Sequence, residues 1–235
     1  MRRICFLVDG FNLYHSIRDL ERDVADGRVQ GASGPLHWLD IDALCASYMG
    51  AIDTSVRGRT VYYFSALAHH AEKRHPGVVA RHEKYITALE STGVLPVLGS
   101  FKEKDAGCPR YRQTCIHCNF ADGVECDGTF RRHEEKQTDV AIACKLVELA
   151  TTDSGCSVAV IVGGDSDLVP AIETSKRLRP ELRIIAALPY KRNSNDMRRA
   201  ADHAITIRPE QYSKHQLPDE VTSLRGVRIS KPESW

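Results

Sequence analysis

Apolar and polar positions follow two different periods along the chain. Residues 4–9 are almost continuously apolar and stop before a glycine, which predicts a buried strand. Residues 11–25 carry apolar side chains every three or four positions, which predicts a helix. The same reasoning predicts further strands at 60–67, 94–101, 157–163, 183–188 and 203–208, and further helices at 39–50, 76–93, 139–151 and 167–178.

This alternation of strands and helices predicts an α/β fold, a three-layer α/β/α arrangement on a mainly parallel sheet. In such sheets, ligands bind outside the carboxyl ends of the strands, near the place where the strand order reverses. Pro96 interrupts the predicted strand 94–101, which favours a position near an edge of the sheet. Residues 209–235 lack a clear period, and we expect this C-terminal extension to be mostly extended or looped.

The composition fits one globular unit of 235 residues with a net charge of +1. Any nucleic-acid binding must therefore come from a local basic patch, because the chain has no strong overall field. Every apolar run is shorter than the roughly 18 residues that cross a membrane, and the first run is too short for a secretion signal. We expect a cytoplasmic protein without a membrane partner, in which the eight cysteines are free or metal-bound.

Four aspartates fall where predicted strands end or helices begin. Asp9 ends the first strand, Asp165 follows a later strand after two glycines, and Asp139 and Asp167 begin helices. Taken singly, an aspartate at a helix start is explained as an ordinary cap. Together they would share one rim of a parallel sheet, where they repel one another unless a cation lies between them. Hard oxygen ligands favour Mg²⁺ or Mn²⁺, which can polarise a phosphodiester and activate a water.

Three segments carry a resemblance to a known family: residues 6–17 (FLVDGFNLYHSI), 135–150 (EKQTDVAIACKLVELA) and 160–178 (VIVGGDSDLVPAIETSKRL). In this order and spacing they resemble the signature segments of the NYN family of PIN-like ribonucleases, and residues 193–207 resemble its closing helix and strand. The resemblance implies a PIN-like Rossmannoid domain over residues 1–208. It also implies a metal-dependent endoribonuclease that hydrolyses RNA and leaves 5′-phosphate and 3′-hydroxyl ends.

The resemblance also implies which residues form the site. The acidic positions that bind the catalytic Mg²⁺ or Mn²⁺ in the family match Asp9, Asp139, Asp165 and Asp167. The polar positions expected beside the metal or the substrate match Asn12, Thr138 and Ser166. Asn12 is equally well explained as a helix N-cap.

A long insertion at residues 102–133 departs from the family pattern. Four cysteines with the spacing C-x6-C-x2-C-x7-C lie in it, namely Cys108, Cys115, Cys118 and Cys126. A structural Zn²⁺ held by these thiolates would staple a loop of this length, with His117 or His133 as a replacement ligand. The alternative is four reduced cysteines in a loop. The other cysteines are interpreted as small core residues, namely Cys5, Cys45, Cys144 and Cys156.

The expected RNA-binding surface lies in residues 173–199, which contain eight Lys/Arg and only three Asp/Glu. Lys191, Arg192 and Arg198 fall close to the expected carboxylate rim and would bind phosphates. The insertion mixes further cations with aromatic side chains that can stack on bases, namely Arg110, Tyr111, Arg112, Phe130, Arg131 and Arg132. For all these charges the alternative is an ordinary solvated surface.

Two other functions are compatible with parts of the sequence. A phosphatase of the haloacid dehalogenase type also has an aspartate at the end of its first strand, but it needs a second one where this chain has Phe11. A catalytically silent RNA- or protein-binding module would keep the fold, yet it gains nothing from gathering carboxylates that repel one another. The sequence leaves assembly into a homo-oligomer open.

Overall fold

The computed structural model describes residues 2–107 and 129–235. Its strands, in chain order, are β1 (Arg3–Asp9), β2 (Gly58–Ser65), β3 (Leu95–Leu98), β4 (Ser100–Gly107), β5 (Thr129–Lys136), β6 (Cys156–Val162), β7 (Arg183–Leu188), β8 (His203–Thr206), β9 (Glu220–Thr222) and β10 (Arg228–Ser230). Its helices are α1 (Gly10–Ala25), α2 (Ile41–Ile52), α3 (Val78–Ser91), α4 (Thr138–Thr151), α5 (Val169–Leu178), α6 (Asn195–Ala200) and α7 (Pro209–Lys214). Short 3₁₀ turns lie at His69–Ala71 and Ser166–Leu168.

Six strands form one parallel sheet in the order β3-β2-β1-β6-β7-β8. The chain builds outward from β1 in one direction, and then returns to β6 and builds outward in the other. The order therefore reverses between β1 and β6, where Val8 lies opposite Val162. Such a reversal opens a crevice at the carboxyl ends of the two central strands.

Helices cover both faces of the sheet. Ile4, Phe6 and Val8 of β1 pack with α1, α2 and α3, whereas the intervening Cys5 and Leu7 pack with α4, α5 and α6. Because successive side chains of a strand point to opposite faces, a strand buried on both sides must be apolar throughout, as β1 is. This confirms the predicted three-layer α/β fold. Within the described residues, no helix has both the length and the apolar character needed to span a bilayer.

An antiparallel ribbon formed by β4 and β5 connects the insertion to the domain. The predicted strand 94–101 is divided in two: β3 is the edge strand of the main sheet, as Pro96 predicts, and the chain then enters β4, which pairs with β5. The zinc prediction for Cys108, Cys115, Cys118 and Cys126, with His117 or His133, falls outside the described residues and their side chains. So do the predicted nucleic-acid contacts of the insertion, namely Arg110, Tyr111, Arg112, Phe130, Arg131 and Arg132.

One prediction about the remaining cysteines is wrong. Cys5, Cys45 and Cys156 are buried, as expected, but Cys144 is exposed. Cys144 lies in α4, whose buried side is formed by residues such as Ile142, Leu146 and Leu149. Because the sequence of α4 is apolar on most sides, it did not indicate that position 144 faces outward.

The C-terminal extension is more structured than its sequence predicted. It forms helix α7 and the antiparallel hairpin β9–β10, and its Tyr212 is fully buried in the core beside α1. The Tyr212 hydroxyl shares a hydrogen bond of 2.9 Å with Ser16 Oγ and accepts a second one of 2.9 Å from the backbone N–H of Tyr190. One phenol thus connects the extension to α1 and to the loop after β7.

Substituting Tyr212 by Phe should destabilise the protein measurably. The Ser16 hydroxyl and the Tyr190 N–H would be left without this partner, which costs about 1–3 kcal/mol in the free energy of unfolding. Urea unfolding of Tyr212→Phe beside the wild type measures this difference, with Tyr14→Phe as the matched control because the Tyr14 side chain is exposed. Equal stability of the wild type and Tyr212→Phe would show that the extension is not fastened in this way.

Candidate active site

Asp9 lies at the centre of the crevice between β1 and β6. It is the last residue of β1 and the N-cap of α1, and only 2% of its surface is exposed. The backbone N–H of Asn12 donates to Asp9 Oδ1 at 2.9 Å, and the side-chain amide of Asn12 donates to Oδ2 at 2.7 Å. The strand end delivers the carboxylate to the crevice, and the first turn of the helix fixes its orientation.

Asn12 connects the two halves of the site. While its amide donates to Asp9, its Oδ1 accepts a hydrogen bond of 3.2 Å from the backbone N–H of Gly164. Asn12 therefore bridges the segments that follow β1 and β6. It is not the helix N-cap, since Asp9 holds that position.

Two glycines after β6 allow the close approach of these segments. A Cβ on Gly163 would come within 3.2 Å of Asp9 Cβ, and a Cβ on Gly164 would lie 2.3 Å from the carbonyl oxygen of Arg192. The second distance is a clash with backbone, so no larger residue fits at position 164 without a shift of the loop after β7. Asp165 comes directly after this constrained turn and caps the 3₁₀ turn, where its Oδ1 accepts from the N–H of Asp167 at 2.9 Å.

The four aspartates lie at one rim and are electrostatically coupled. Burial raises the pKa of Asp9 to about 6; hydrogen bonds from Asn12 oppose the shift, and the charges of Asp139 and Asp165 add to it. Partial desolvation at the protein surface also raises the pKa of Asp139, with further contributions from the charges of Asp165 and Asp167. The carboxylates thus destabilise one another's ionised forms, which a cation at the rim would relieve.

The donors at this rim have the chemistry that Mg²⁺ and Mn²⁺ prefer, since they are carboxylate oxygens. Asp9 is rigidly held, whereas Asp139 and Asp167 are exposed and Asp165 is half-buried. In the side-chain positions of the described residues, no three His, Cys, Asp or Glu side chains already converge on one point that would hold a metal. The donors suit the metal by their chemistry and charge, and the exposed side chains of Asp139 and Asp167 would have to turn to reach it.

The other predicted polar positions lie around these carboxylates. Thr138 begins α4 immediately before Asp139; it is buried, and its hydroxyl has no hydrogen-bond partner among the described residues. It follows Gln137, whose backbone is left-handed with φ of 81°. Ser166 is exposed and lines an open cavity of about 510 Å³ together with Glu173, Asp196 and Arg199.

Two of the three predicted phosphate-binding cations are engaged elsewhere. Lys191 pairs with Asp23 and Arg192 pairs with Asp19, so both hold the loop after β7 against α1. Each charge already has a carboxylate partner, and the expected role of these two residues in binding phosphates stays a prediction. Among the described residues, Arg198 donates only to neutral groups, Asn193 Oδ1 at 3.3 Å and Thr206 Oγ1 at 3.1 Å, and it is exposed.

Sequence patterns did not reveal how the ribbon meets the site. Phe101 of β4 packs edge-to-face on Phe11, the residue after Gly10, with ring centroids 5.6 Å apart. Its other neighbour is His70, with a centroid distance of 4.5 Å. The base of the insertion is therefore fixed beside the first turn of α1, within a few residues of Asp9.

Comparison with known proteins bears on the whole domain. The family model described as "NYN domain" matches residues 3–208. Among solved structures, the chain is similar to the crystal structure of a protein of unknown function from Vibrio parahaemolyticus, at 16% sequence identity and a TM-score of 0.47, over 92% of this chain and 96% of that chain. No curated protein matches the chain.

The elevated pKa of Asp9 predicts how stability depends on pH in metal-free protein. The folded state holds this proton more tightly than the unfolded state does, so the contribution of Asp9 is most favourable below about pH 4 and is lost as the pH rises through about 6. The loss should amount to about 3 kcal/mol. Asp9→Asn should remove this part of the pH dependence.

Urea unfolding in chelator at several pH values between 4 and 8 measures the effect. The difference in free energy of unfolding between the wild type and Asp9→Asn should change with pH, whereas the difference for Asp219→Asn, an exposed aspartate in the C-terminal extension, should stay nearly constant. Parallel curves for the wild type and Asp9→Asn would contradict the assignment of the raised pKa to Asp9.

Proposed function

The chain belongs to the NYN domain family, and we propose on this basis that it is a metal-dependent endoribonuclease. The family is generally one of nucleases, so hydrolysis of RNA is the activity that membership favours, and its members typically use divalent metals. The finer assignment rests on this chain's own residues. The observation that carries it is the group of carboxylates at the β1/β6 crevice, where Asp9 is buried among like charges.

A buried carboxylate surrounded by carboxylates is unfavourable for the fold. The two hydrogen bonds from Asn12 orient the Asp9 carboxylate but do not offset its burial and the neighbouring charges, since the pKa of Asp9 is still raised to about 6. The unfavourable charge is explained if the protein binds a cation there. A cation site made of these carboxylates favours catalysis over a silent binding module.

Asp9, Asp139, Asp165 and Asp167 would hold Mg²⁺ or Mn²⁺. When bound, such a metal supplies charge stabilisation for the phosphate and lowers the pKa of a water for the attack on phosphorus. Asn12 keeps the Asp9 carboxylate oriented and ties it to the Gly163–Gly164 turn, so that Asp165 lies on the same rim. Exposure of Asp139 and Asp167 leaves these two side chains free to turn towards a ligand.

The surroundings of the site are suited to a single strand of RNA. Phe11 and Phe101 offer aromatic surface next to the carboxylates, and Arg198 offers a cation that has no carboxylate partner among the described residues. Base stacking and phosphate contacts of this kind bind single strands with little sequence preference. Attack of water on phosphorus with the 3′-oxygen as the leaving group would break the P–O3′ bond and leave 5′-phosphate and 3′-hydroxyl ends.

Purified protein should cut a labelled single-stranded RNA with Mn²⁺ or Mg²⁺ and should not cut it in chelator. Asp9→Asn and Asp165→Asn should each lower the cleavage rate by about 100-fold or more, since each removes a charge that stabilises the reaction. Asp219→Asn, an exposed aspartate far along the chain, is the matched control and should cut at the wild-type rate.

Product ends distinguish this mechanism from a metal-free one. Products that accept ligation at a 5′-phosphate would support hydrolysis by water, whereas 2′,3′-cyclic phosphate ends would contradict it. Cleavage that survives both substitutions would place the activity outside this site. RNA binding without cleavage of any of several RNAs would instead favour the silent binding module.

A further inference from the structure

A second concave site begins one residue away from Asp9. It is a cavity of about 310 Å³ between α1, the 3₁₀ turn His69–Ala71 and α3, and its wall includes Gly10 and Phe11 of the first turn of α1. A volume of this size lies at the lower end of the range of small-ligand sites. Gly10, which lines the cavity, directly follows Asp9 of the carboxylate site in the sequence.

One wall of the cavity is aromatic. The ring of Tyr14 stacks on His37 with centroids 5.4 Å apart and planes 29° apart, and Trp235 lies 5.7 Å from His37 and 5.4 Å from Tyr85. Tyr14 stacks one side of its ring on His37 and is 43% exposed, so part of the ring remains accessible to a ligand. Flat, partly exposed rings at a cavity wall are the surface on which an unpaired nucleobase stacks.

Two cations line the same cavity. Arg18 lies one helical turn after Tyr14, with its guanidinium 5.8 Å from the centre of that ring, and Arg81 lies on α3 and donates to the carbonyl oxygen of Pro76 at 3.1 Å. Among the described residues, neither arginine has an ion pair. Glu21 and Glu72 interact electrostatically with Arg18 and Arg81, respectively, without forming an ion pair, so both guanidinium groups keep donors that complement the charge of a phosphate.

The cavity also contains a neutral polar pair. Ser65 Oγ and His82 Nε2 are 3.3 Å apart, and Ser65 is buried. Burial lowers the pKa of His82 to about 4, so the imidazole is neutral at neutral pH. A neutral imidazole and a hydroxyl can each donate and accept hydrogen bonds, which suits the mixed edge of a nucleobase.

We propose that this cavity receives one unpaired base of the RNA, adjacent to the phosphate at the carboxylate site, with Arg18 and Arg81 holding the flanking phosphates. The proposal rests on the function proposed above and makes it more specific: the substrate must present a base that is not paired. A base inside a duplex would first have to leave its partner and its stack, so single strands and unpaired loops are favoured over duplex RNA.

Binding measured without cleavage tests the pocket independently of the chemistry. A fluorescent single-stranded octaribonucleotide is titrated with protein in chelator, and a gel verifies that the RNA stays intact. Tyr14→Ala should weaken binding about tenfold through the lost stacking surface. Arg81→Met should lower the slope of log Kd against log salt by about 1, through one lost phosphate contact. Arg22→Met is the matched control in α1, because its side chain is exposed and Arg22 is not among the residues that line the cavity.

Oligonucleotides with a single abasic position identify the group that the pocket binds. With wild-type protein, at least one abasic position should weaken binding about as much as Tyr14→Ala does, and the two changes together should cost little more than either alone. Unchanged affinity of Tyr14→Ala and Arg81→Met for intact RNA, or equal affinity of the wild type for every abasic oligonucleotide and its parent, would overturn the proposal.

The two proposals fail in different ways. Metal-dependent cleavage that depends on Asp9 and Asp165 but is indifferent to the pocket substitutions would overturn the pocket and keep the nuclease. Single-strand binding that depends on Tyr14 and Arg81, without cleavage under any metal, would keep the pocket and overturn the nuclease. Circular dichroism of each variant verifies that it is folded.

Discussion

The side chain of Asp9 is buried where the strand order of the sheet reverses, between β1 and β6, and the rest of the site is arranged around that charge. β1 must be apolar on both faces to lie between two helical layers, so a carboxylate can appear only where the strand ends. The first turn of α1 satisfies the carboxylate through Asn12, and Asn12 in turn holds the turn after β6. Repulsion from Asp139 and Asp165 remains, and it makes this rim receptive to a cation.

Glycines determine how closely the two halves of the crevice approach. Gly163 leaves room for Asp9, and Gly164 leaves room for the carbonyl oxygen of Arg192, which belongs to a loop held to α1 by ion pairs. Lys191 and Arg192 of that loop thus position its backbone beside the carboxylates. On the other side, Phe11 and the arginine-lined cavity continue along α1, where we propose that a base of the RNA binds.

Much of this architecture could be predicted from the sequence because it depends on local patterns. Continuous apolar runs fixed the central strands, and an aspartate after such a run could only lie at the carboxyl rim of a parallel sheet. Ion pairs could not be predicted in this way: Arg192 and Asp19 meet although they are 173 positions apart. For the same reason the C-terminal extension looked irregular, since Tyr212 is ordered by partners in α1 and after β7. The cavity along α1 likewise arises from several elements that are distant in sequence, among them α1, β2, α3 and the C-terminal Trp235.

The central claim is that the carboxylates at the β1/β6 crevice hold the metal that cleaves RNA. Anomalous diffraction from crystals soaked in Mn²⁺ tests it most directly, because the ion is located without reliance on activity. We expect an anomalous peak within about 2.0–2.6 Å of carboxylate oxygens of Asp9 and at least one of Asp139, Asp165 and Asp167, and no such peak in crystals of Asp9→Asn. Manganese bound at other residues, with the Asp9 rim empty in the same crystal, would contradict the account.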